Sequence, residues 1–306
     1  MRLAQIKKWM NMLRGKGTLH IQKGIGAQYS LCEIKGFYID YSGKVNTNQI
    51  DENGLPFTRL ADGRCEKLPI TVIQYGLGCY EKVLAGEKDF AEKFLIAAEY
   101  MKGTQDEKGR WDAFRAQKTH DYYSSMVQGE GISLMLRAYV MTEDESYLTA
   151  AKKAYEIMIA PVEEGGTAEK CGEDLLLLEA TDKPMILNGA IYSMFGVLDL
   201  AILTGDESVK STLDSIVNGI KNKLSEFDNG YWSDYSLNRR IASPFYHQLH
   251  ITQLKVLHAI FGEQCFLDTA EKFEKYYNSR FCYMRAFVKK AFQKVFEKSD
   301  AIPIVE

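Results

Sequence analysis

The chain has 306 residues, of which 46% are apolar, 26% charged and 12% aromatic, the composition of one large or two modest globular domains. With 38 Lys and Arg against 41 Asp and Glu, the formal net charge is −3, which excludes a protein that coats nucleic acid through its overall charge. Its six cysteines include no Cys-x-x-Cys pair, so neither a zinc ribbon nor a small disulfide scaffold is indicated, and we expect reduced thiols in a cytoplasmic protein.

Residues 1–17 are basic but lack the apolar core and the cleavage site of a signal peptide. Apolar residues recur there at helical spacing, with basic residues on the remaining face. They are Leu3, Ile6, Trp9, Met10 and Leu13. The pattern predicts an amphipathic helix that either lies in a membrane interface or docks on its own domain.

Residues up to 68 are predicted to contain one or two β-hairpins. Short aromatic or β-branched runs, such as residues 37–41, alternate there with the turn sequences Ser42-Gly43, Asn53-Gly54 and Asp62-Gly63. We therefore expect an N-terminal helix and β-hairpin region over residues 1–68 and a second domain over residues 69–306.

From about residue 70 the chain repeats a pattern of helix, junction and helix. The junctions resemble one another at Gly86, Glu143, Gly205 and Gly262, each between an apolar helix and an amphipathic one. Glycine or a turn acid suits such a junction, because the chain leaves the first helix through a left-handed residue. The array predicts a mainly α fold, an incomplete (α/α) barrel with apolar inner helices. An open solenoid is the alternative, which the unequal loop lengths disfavour.

Residues 283–298 form another basic amphipathic segment. They leave the same two alternatives as the N-terminal segment, a peripheral membrane contact or docking on the domain. A membrane contact would place the protein at the inner face of the membrane.

Polar and aromatic residues gather near the predicted starts of the inner helices, where a barrel would bring them to one cleft. The candidates for substrate binding at these starts are Gln74, Tyr75, Gln128, Asn188, His247 and His250. The loop before the last inner helix adds Trp232, Arg239 and Arg240. Aromatic rings stack on sugars and arginines pair with carboxylates or sulfates, so these residue types favour a glycan ligand.

His247 and His250 have a spacing that places two imidazoles on one helix face. No third ligand lies at metal-ligand spacing, so a structural or substrate-contacting pair is favoured, and we expect neither a metal nor an organic cofactor. The sequence Gly129-Glu130-Gly131 lies within a helical pattern and is interpreted as a packing feature rather than a nucleotide-binding loop.

Three of these regions resemble the C-terminal domain of the D-glucuronyl C5-epimerases, a family that acts on heparosan and heparan-type polysaccharides. They are Ser125-Met126-Val127-Gln128-Gly129, Leu187-Asn188-Gly189 and Tyr246-His247-Gln248-Leu249-His250. The resemblance extends over residues 35–262 and implies an (α/α) barrel, which the family combines with a β-sandwich for which this chain is too short. It also implies homodimerisation and inversion of carbon 5 of D-glucuronosyl units to L-iduronosyl units.

The resemblance further implies which residues are catalytic. The family's glutamate upstream of the Leu-Asn-Gly motif corresponds to Glu179, and the tyrosine that opens the Tyr-His-x-x-His motif corresponds to Tyr246. A second tyrosine and an arginine on the preceding loop correspond to Tyr235 and Arg239. This chain has Ala180 where the family has a tyrosine after the glutamate.

Inversion at carbon 5 requires two acid–base groups on opposite faces of the sugar, and Glu179 and Tyr246 can divide this work. The developing enediolate needs nearby donors or cations. Candidates for that role are Arg239, His250 and Asn188. We expect burial among leucines to raise the pKa of Glu179, and Arg239 or Arg240 to lower the pKa of a neighbouring tyrosine.

Two other functions stay open. A polysaccharide lyase on the same barrel would start from the same carbanion and expel the oxygen at carbon 4, which gives an unsaturated uronate. A non-catalytic glycan-binding protein would need neither step, and Ala180 in place of the family's tyrosine favours it. No nucleic-acid partner is expected.

Overall fold

Helical hairpins form most of the chain in this computed structural model, which describes residues 24–60, 62–117 and 122–296. The predicted N-terminal helix therefore lies outside the described residues. The inner helices are α1 (Pro69–Leu84), α3 (Ser125–Thr142), α5 (Leu187–Thr204) and α7 (Pro244–Phe261). The outer helices are α2 (Phe90–Gly103), α4 (Glu145–Ile159), α6 (Glu207–Lys223) and α8 (Gln264–Asn278), and α9 (Arg280–Phe296) follows them.

The inner helices pack against one another in chain order, and each outer helix packs on the inner helix before it. In α5 every residue from 187 to 201 is buried, whereas α6 buries a single face. This arrangement confirms the prediction of a mainly α, incomplete (α/α) barrel. Among the described helices α5 is apolar and long enough to cross a membrane, but 83% of it is buried inside the structure, as expected for a helix of the inner ring.

The structure confirms the four predicted helix junctions, and at each of them one residue has a left-handed backbone conformation. Gly86, Glu143, Gly205 and Gly262 have φ angles of 94°, 59°, 65° and 71°. A left-handed residue turns the chain away from the helix while its N–H still closes the last turn, as at Glu143, which donates to the Tyr139 carbonyl. The short connections between inner and outer helices depend on these residues.

The described chain also contains three antiparallel β-hairpins. They pair β1 (Thr58–Arg59) with β2 (Cys65–Glu66), β3 (Ala168–Cys171) with β4 (Asp174–Leu177), and β5 (Asp234–Ser236) with β6 (Arg240–Ile241). The first hairpin, together with the bonds from Gly26 N to Tyr38 O at 2.9 Å and from Gly36 N to Gln28 O at 3.0 Å, confirms the predicted N-terminal β-hairpin region. The other two were not predicted and lie in the connections that lead into α5 and α7.

A buried ion pair ties the N-terminal region to two inner helices. Arg137 Nη1 on α3 donates to Asp199 Oδ2 on α5 at 2.6 Å, and both side chains are almost fully buried. The Tyr38 hydroxyl donates to Asp199 Oδ1 at 2.8 Å, and Arg137 Nη2 donates to the Gly36 carbonyl at 2.9 Å. The residues around Tyr38 therefore share the barrel core, while a separate folding unit over residues 1–68 stays a prediction.

Replacing Arg137 with leucine should lower the free energy of unfolding by about 3 to 5 kcal/mol, because Asp199 would stay buried without a counter-charge. Urea unfolding followed by circular dichroism measures this loss. The double variant Arg137→Leu/Asp199→Asn should recover part of it, since no uncompensated charge is left. A loss below about 1 kcal/mol in the single variant, the range of an exposed ion pair, would contradict this role.

Candidate active site

Glu179 lies on a short segment between β4 and α5 that is held on both sides. The Leu178 carbonyl accepts a hydrogen bond from Ser125 N at 3.0 Å, and Thr181 N donates to the Tyr123 carbonyl at 3.1 Å. Both bonds connect this segment to the residues at the start of α3. The backbone of Glu179 is thereby fixed at the end of the barrel where the inner helices begin.

Gly189, in the first turn of α5, leaves room for the carboxyl group of Glu179. A Cβ atom at Gly189 would lie 2.6 Å from Glu179 Cβ and 2.8 Å from Glu179 Cγ, closer than atoms can pack. The glycine of the Leu-Asn-Gly motif is thus required by the close approach of this glutamate.

Two tyrosines from separate elements meet Glu179. Tyr235 lies on β5, which bridges to the residue before α5, and Tyr246 lies in the first turn of α7, which is capped by the Ser243 hydroxyl. The Tyr235 hydroxyl donates to Glu179 Oε1 at 3.3 Å. The rings of Tyr235 and Tyr246 have centroids 4.8 Å apart, and their phenol groups are in hydrogen-bonding contact. All three residues are half-buried, so they lie at the border between the core and the surface of the barrel.

The carboxyl group and the phenols titrate far from their ordinary ranges. Burial raises the pKa of Glu179 to about 7, while the hydrogen bond from Tyr235 and the charge of Lys183 oppose this rise. This confirms the direction predicted for Glu179. Burial, and then the charge of Glu179, raise the pKa values of Tyr235 and Tyr246. The prediction that an arginine lowers the pKa of a tyrosine here is wrong.

Arg239 is directed to groups other than the phenols, and its backbone is left-handed, with φ at 64°. Its guanidinium donates to the Glu226 carbonyl at 3.0 Å and lies 3.4 Å from Asp234 Oδ2, and its side chain is 62% exposed. The cation over the Tyr235 ring is instead Lys290 of α9, whose Nζ is 5.9 Å from the ring centroid. The predicted site did not include Lys290, which is distant in sequence. Arg240 lies partly exposed on β6.

Trp232 and His247 belong to the core rather than to a sugar-binding surface. Their rings stack with centroids 3.7 Å apart, and both are fully buried. His247 Nδ1 accepts from Ser233 N at 3.1 Å, and Nε2 lies 2.9 Å from the Phe273 carbonyl. Burial lowers the pKa of His247 to about 3, so the ring is neutral. Neither ring has an exposed face or an unpaired polar atom, so both have packing roles in this structure, and their predicted substrate contacts stay predictions.

His250 and Asn188 keep buried polar atoms without a hydrogen-bond partner in the described part of the chain. These atoms are His250 Nε2 and Asn188 Oδ1, and Glu179 Oε2 is a third. His250 Nδ1 lies 2.9 Å from Ser233 Oγ, and burial lowers the pKa of His250 to about 3. Unpaired buried polar atoms are costly, and here they lie near the start of α5 and in the first two turns of α7, as a site for a polar ligand requires. The described residues contain no group of three His, Cys, Asp or Glu side chains that could hold a metal ion.

Gln74 does not face the phenols but a second buried carboxyl group, that of Glu130. The Tyr41 hydroxyl donates to Glu130 Oε1, and Gln74 Nε2 donates to Glu130 Oε2 at 3.1 Å. Burial raises the pKa of Glu130 to about 7, and the charge of Glu179 adds to this rise while Lys44 opposes it. The two glutamates thus belong to one electrostatically coupled interior, although the sequence indicated Glu130 only as part of a packing motif.

Tyr75 and Gln128 are also buried and face the core. The Gln128 amide donates to the Gly109 carbonyl at 3.3 Å and accepts from Trp111 N at 3.0 Å, and burial raises the pKa of Tyr75. In this structure Gln74, Tyr75 and Gln128 therefore make contacts within the protein, and their predicted substrate contacts stay predictions. The packing role of the glycines beside Glu130 is confirmed, since a Cβ at Gly131 would lie 2.7 Å from Trp111 Cε3.

The arrangement suits proton transfer. A carboxyl group with a pKa of about 7 can accept and return a proton near neutral pH, whereas phenols with raised pKa values stay protonated and act as donors. Tyr235 contacts both Glu179 and Tyr246, so it connects the two groups.

Known proteins share this region of the chain. A family model described as "D-glucuronyl C5-epimerase C-terminus" matches residues 105–275, which include Glu179, Tyr235 and Tyr246. The D-glucuronyl C5-epimerase of Caenorhabditis elegans is 24% identical over 225 residues, which are 64% of this chain and 36% of the relative. An uncharacterized protein of Methanocaldococcus jannaschii is 26% identical over 157 residues, 49% of this chain and 51% of the relative. The chain thus spans between about a third and a half of the length of these curated relatives.

Among solved structures, the endo-β-1,4-glucanase CMCax of Acetobacter xylinum aligns with a TM-score of 0.50 at 13% identity. The alignment covers 72% of this chain and 71% of the glucanase. At this identity the similarity concerns the fold alone.

Replacing Glu130 with glutamine should stabilise the protein at pH 8 but not at pH 4. An unfolded glutamate titrates near pH 4.3, whereas Glu130 in the folded state has a pKa of about 7. Between these values the folded state holds a proton that the unfolded chain has lost, so the free energy of unfolding falls as the pH rises. Glutamine removes this penalty, a gain of about 3 to 4 kcal/mol at pH 8, which urea unfolding measures.

The exposed residue Glu156 on α4 provides the matched control for this measurement. Its glutamine variant should match the parent at both pH values. A Glu130→Gln variant whose stability relative to the parent is the same at pH 4 and pH 8 would show that Glu130 does not titrate as described.

Proposed function

The chain belongs to the D-glucuronyl C5-epimerase C-terminal family, and we propose that it inverts carbon 5 of D-glucuronosyl residues in a glycan to give L-iduronosyl residues. The observation that carries this proposal is the contact of Glu179 with two phenols, those of Tyr235 and Tyr246. It combines a carboxyl group that can act as a base near neutral pH with two groups that stay protonated.

In the proposed reaction the Glu179 carboxylate removes the proton from carbon 5. The electron pair of that C–H bond passes into the carboxylate at carbon 6, which becomes an enediolate. Tyr246 then donates its phenolic proton to carbon 5 from the opposite face. One C–H bond is broken and another is formed, so the sugar is inverted without cleavage of the glycan.

Tyr235 supports this reaction by linking the base to the acid. After one inversion the proton resides on Glu179, and Tyr246 is a phenolate. Tyr235 is hydrogen-bonded to Glu179 and in contact with Tyr246, so it can pass the proton back between them. The groups then return to their starting protonation states, and inversion in either direction becomes repeatable.

The charge on the enediolate requires donors or cations beside the sugar carboxylate. We assign part of this role to Lys290, the cation above the Tyr235 ring, and part to His250 as a neutral N–H donor. Arg239 and Arg240 on the β5–β6 hairpin stay predicted contacts to carboxylates or sulfates of neighbouring sugars. A heparosan-type polymer is the proposed substrate, and homodimerisation stays a prediction.

Glu179→Gln and Tyr246→Phe should each slow exchange at carbon 5 by about a hundredfold or more, because each removes one of the two acid–base groups. The measurement is proton NMR of a glucuronate-containing oligosaccharide in deuterated water, in which exchange removes the signal of the carbon 5 proton. Glu156→Gln, at an exposed position on α4, is the control and should exchange at the parent rate.

Parental exchange rates in both active-site variants would overturn the assignment of Glu179 and Tyr246. An unsaturated uronate that absorbs in the near ultraviolet, formed without iduronate, would identify a lyase. Tight binding of the oligosaccharide by the parent protein without any deuterium incorporation would identify a binding protein.

Replacing Tyr235 with phenylalanine should shift the pH dependence of epimerisation to higher pH. Activity requires the ionised Glu179, so the rate rises with pH around the pKa of this carboxyl group, about 7. The Tyr235 hydroxyl stabilises the carboxylate, and its loss raises that pKa further. The rising limb of the kcat profile should move accordingly, whereas Tyr139→Phe, which removes a hydroxyl that bonds Glu145, should leave it in place. An unshifted limb in Tyr235→Phe would contradict the contact.

A further inference from the structure

The outer face of α9 carries a continuous exposed apolar stripe. Its members are Phe281, Met284, Val288, Phe292 and Phe296, with exposures of 75%, 56%, 46%, 59% and 78%. They recur every three or four residues, so they lie on one side of the helix along its whole length. The rings of the last two stack with centroids 6.0 Å apart. We call these five residues the α9 stripe.

The opposite face of α9 is held against the candidate active site. Ala286 is 2% exposed in a cluster with Trp232. Lys290 Nζ donates to the Ile241 carbonyl at 2.6 Å, and Gln293 Oε1 accepts from Ile241 N at 3.2 Å. These contacts fix the rotation of the helix, so the α9 stripe faces away from the protein.

The charged residues of α9 are all basic, although the whole chain has a net charge of −3. They are Arg280, Arg285, Lys289, Lys290 and Lys294. With 3.6 residues per turn, Arg285 and Lys289 lie along one side of the α9 stripe, Arg280 lies along the other, and Lys294 lies nearer the inner face beside Lys290. The exposed apolar surface is therefore bordered by cations on both sides.

We propose that the α9 stripe docks on an anionic lipid bilayer, with the helix lying in the plane of the interface. Its aromatic and aliphatic side chains would enter the boundary between headgroups and acyl chains, while the flanking cations pair with anionic headgroups. A bilayer of this kind would cover the exposed apolar side chains and neutralise the flanking cations at the same time.

Other occupants would match either the apolar stripe or the flanking cations, but not both. A second copy of this helix could cover the apolar side chains, but it would bring the same cations together without an acidic residue on either helix. A polyanionic glycan could pair with the cations, but it would leave three phenylalanines of the α9 stripe in water. Charge complementarity together with apolar exposure therefore favours the anionic bilayer.

Docking in this way would place the bilayer close to the candidate active site. Lys290 reaches from the inner face of α9 to the Tyr235 ring, while the α9 stripe occupies the outer face. About one helix diameter, roughly 10 Å, would then separate the membrane surface from Tyr235.

Co-sedimentation of the full chain with lipid vesicles tests the proposal. One set of vesicles contains phosphatidylcholine alone, and the other contains one quarter phosphatidylglycerol. We expect partitioning onto the anionic vesicles to be at least about tenfold stronger and to weaken as salt is added.

Two variants of exposed positions remove the proposed contacts. Phe281→Ser/Phe292→Ser shortens the apolar surface, and Arg280→Gln/Arg285→Gln removes one exposed cation from each side of the α9 stripe. Each should lower partitioning onto anionic vesicles by about tenfold or more. Circular dichroism should show parental helix content in both.

The matched control removes two exposed apolar side chains elsewhere, Leu31 and Val140, which are 44% and 42% exposed. The variant Leu31→Ser/Val140→Ser should bind vesicles like the parent. Equal loss in this control and in the α9 variants would overturn the proposal, as would equal binding of the parent to neutral and anionic vesicles.

Two further outcomes would assign the surface to another occupant. A lipid-free dimer in sedimentation velocity that Phe281→Ser/Phe292→Ser converts to monomer, without vesicle binding by the parent, would identify a second copy. Binding of a glucuronate polysaccharide that Arg280→Gln/Arg285→Gln abolishes, while vesicle binding is unchanged, would identify a glycan surface. Either result overturns the bilayer proposal.

Discussion

The close approach of α3 and α5 is the constraint on which the candidate active site depends. A Cβ at Gly129 would lie 2.5 Å from Ser193 Cα, and a Cβ at Gly196 would lie 2.7 Å from Gly129 Cα, so the two helices meet backbone to backbone. At the same crossing the Ser193 hydroxyl donates to the Ser125 hydroxyl at 2.7 Å. The segment that carries Glu179 is attached to the starts of these two helices, so their separation sets the position of its carboxyl group.

Tight inner packing also explains the electrostatics of the interior. Helices at this distance leave little room for water, so burial raises the pKa values of Glu179 and Glu130 to about 7. Such groups reduce stability near neutral pH, and natural proteins retain costs of this kind mainly where function requires them. The same burial that weakens the fold gives the carboxyl group beside Tyr235 and Tyr246 the proton affinity that an acid–base catalyst needs.

The features that were predictable from the sequence are those that local chemistry determines. Short helix junctions need a left-handed residue, so Gly205 and its counterparts show in the sequence where each inner helix ends. The Leu-Asn-Gly motif around Gly189 likewise identifies Glu179, the glutamate that precedes it. The remaining features depend on tertiary packing. A tryptophan can stack on a sugar or on a histidine, and the residue type alone does not distinguish these two roles for Trp232. Arg239 contacts Glu226 and Asp234 rather than the phenols, and Lys290 reaches the site from a helix distant in sequence.

The buried phenols extend the acid–base system beyond Glu179. Tyr192 on α5 is fully buried, and its pKa is raised by burial and then by the charge of Glu130. It also interacts with Tyr41 and Tyr246. Two carboxyl groups are thereby connected through phenols across the interior of the barrel. The charge of Glu179 also contributes to the raised pKa of Glu130, so the protonation states of the two carboxyl groups are linked across this interior.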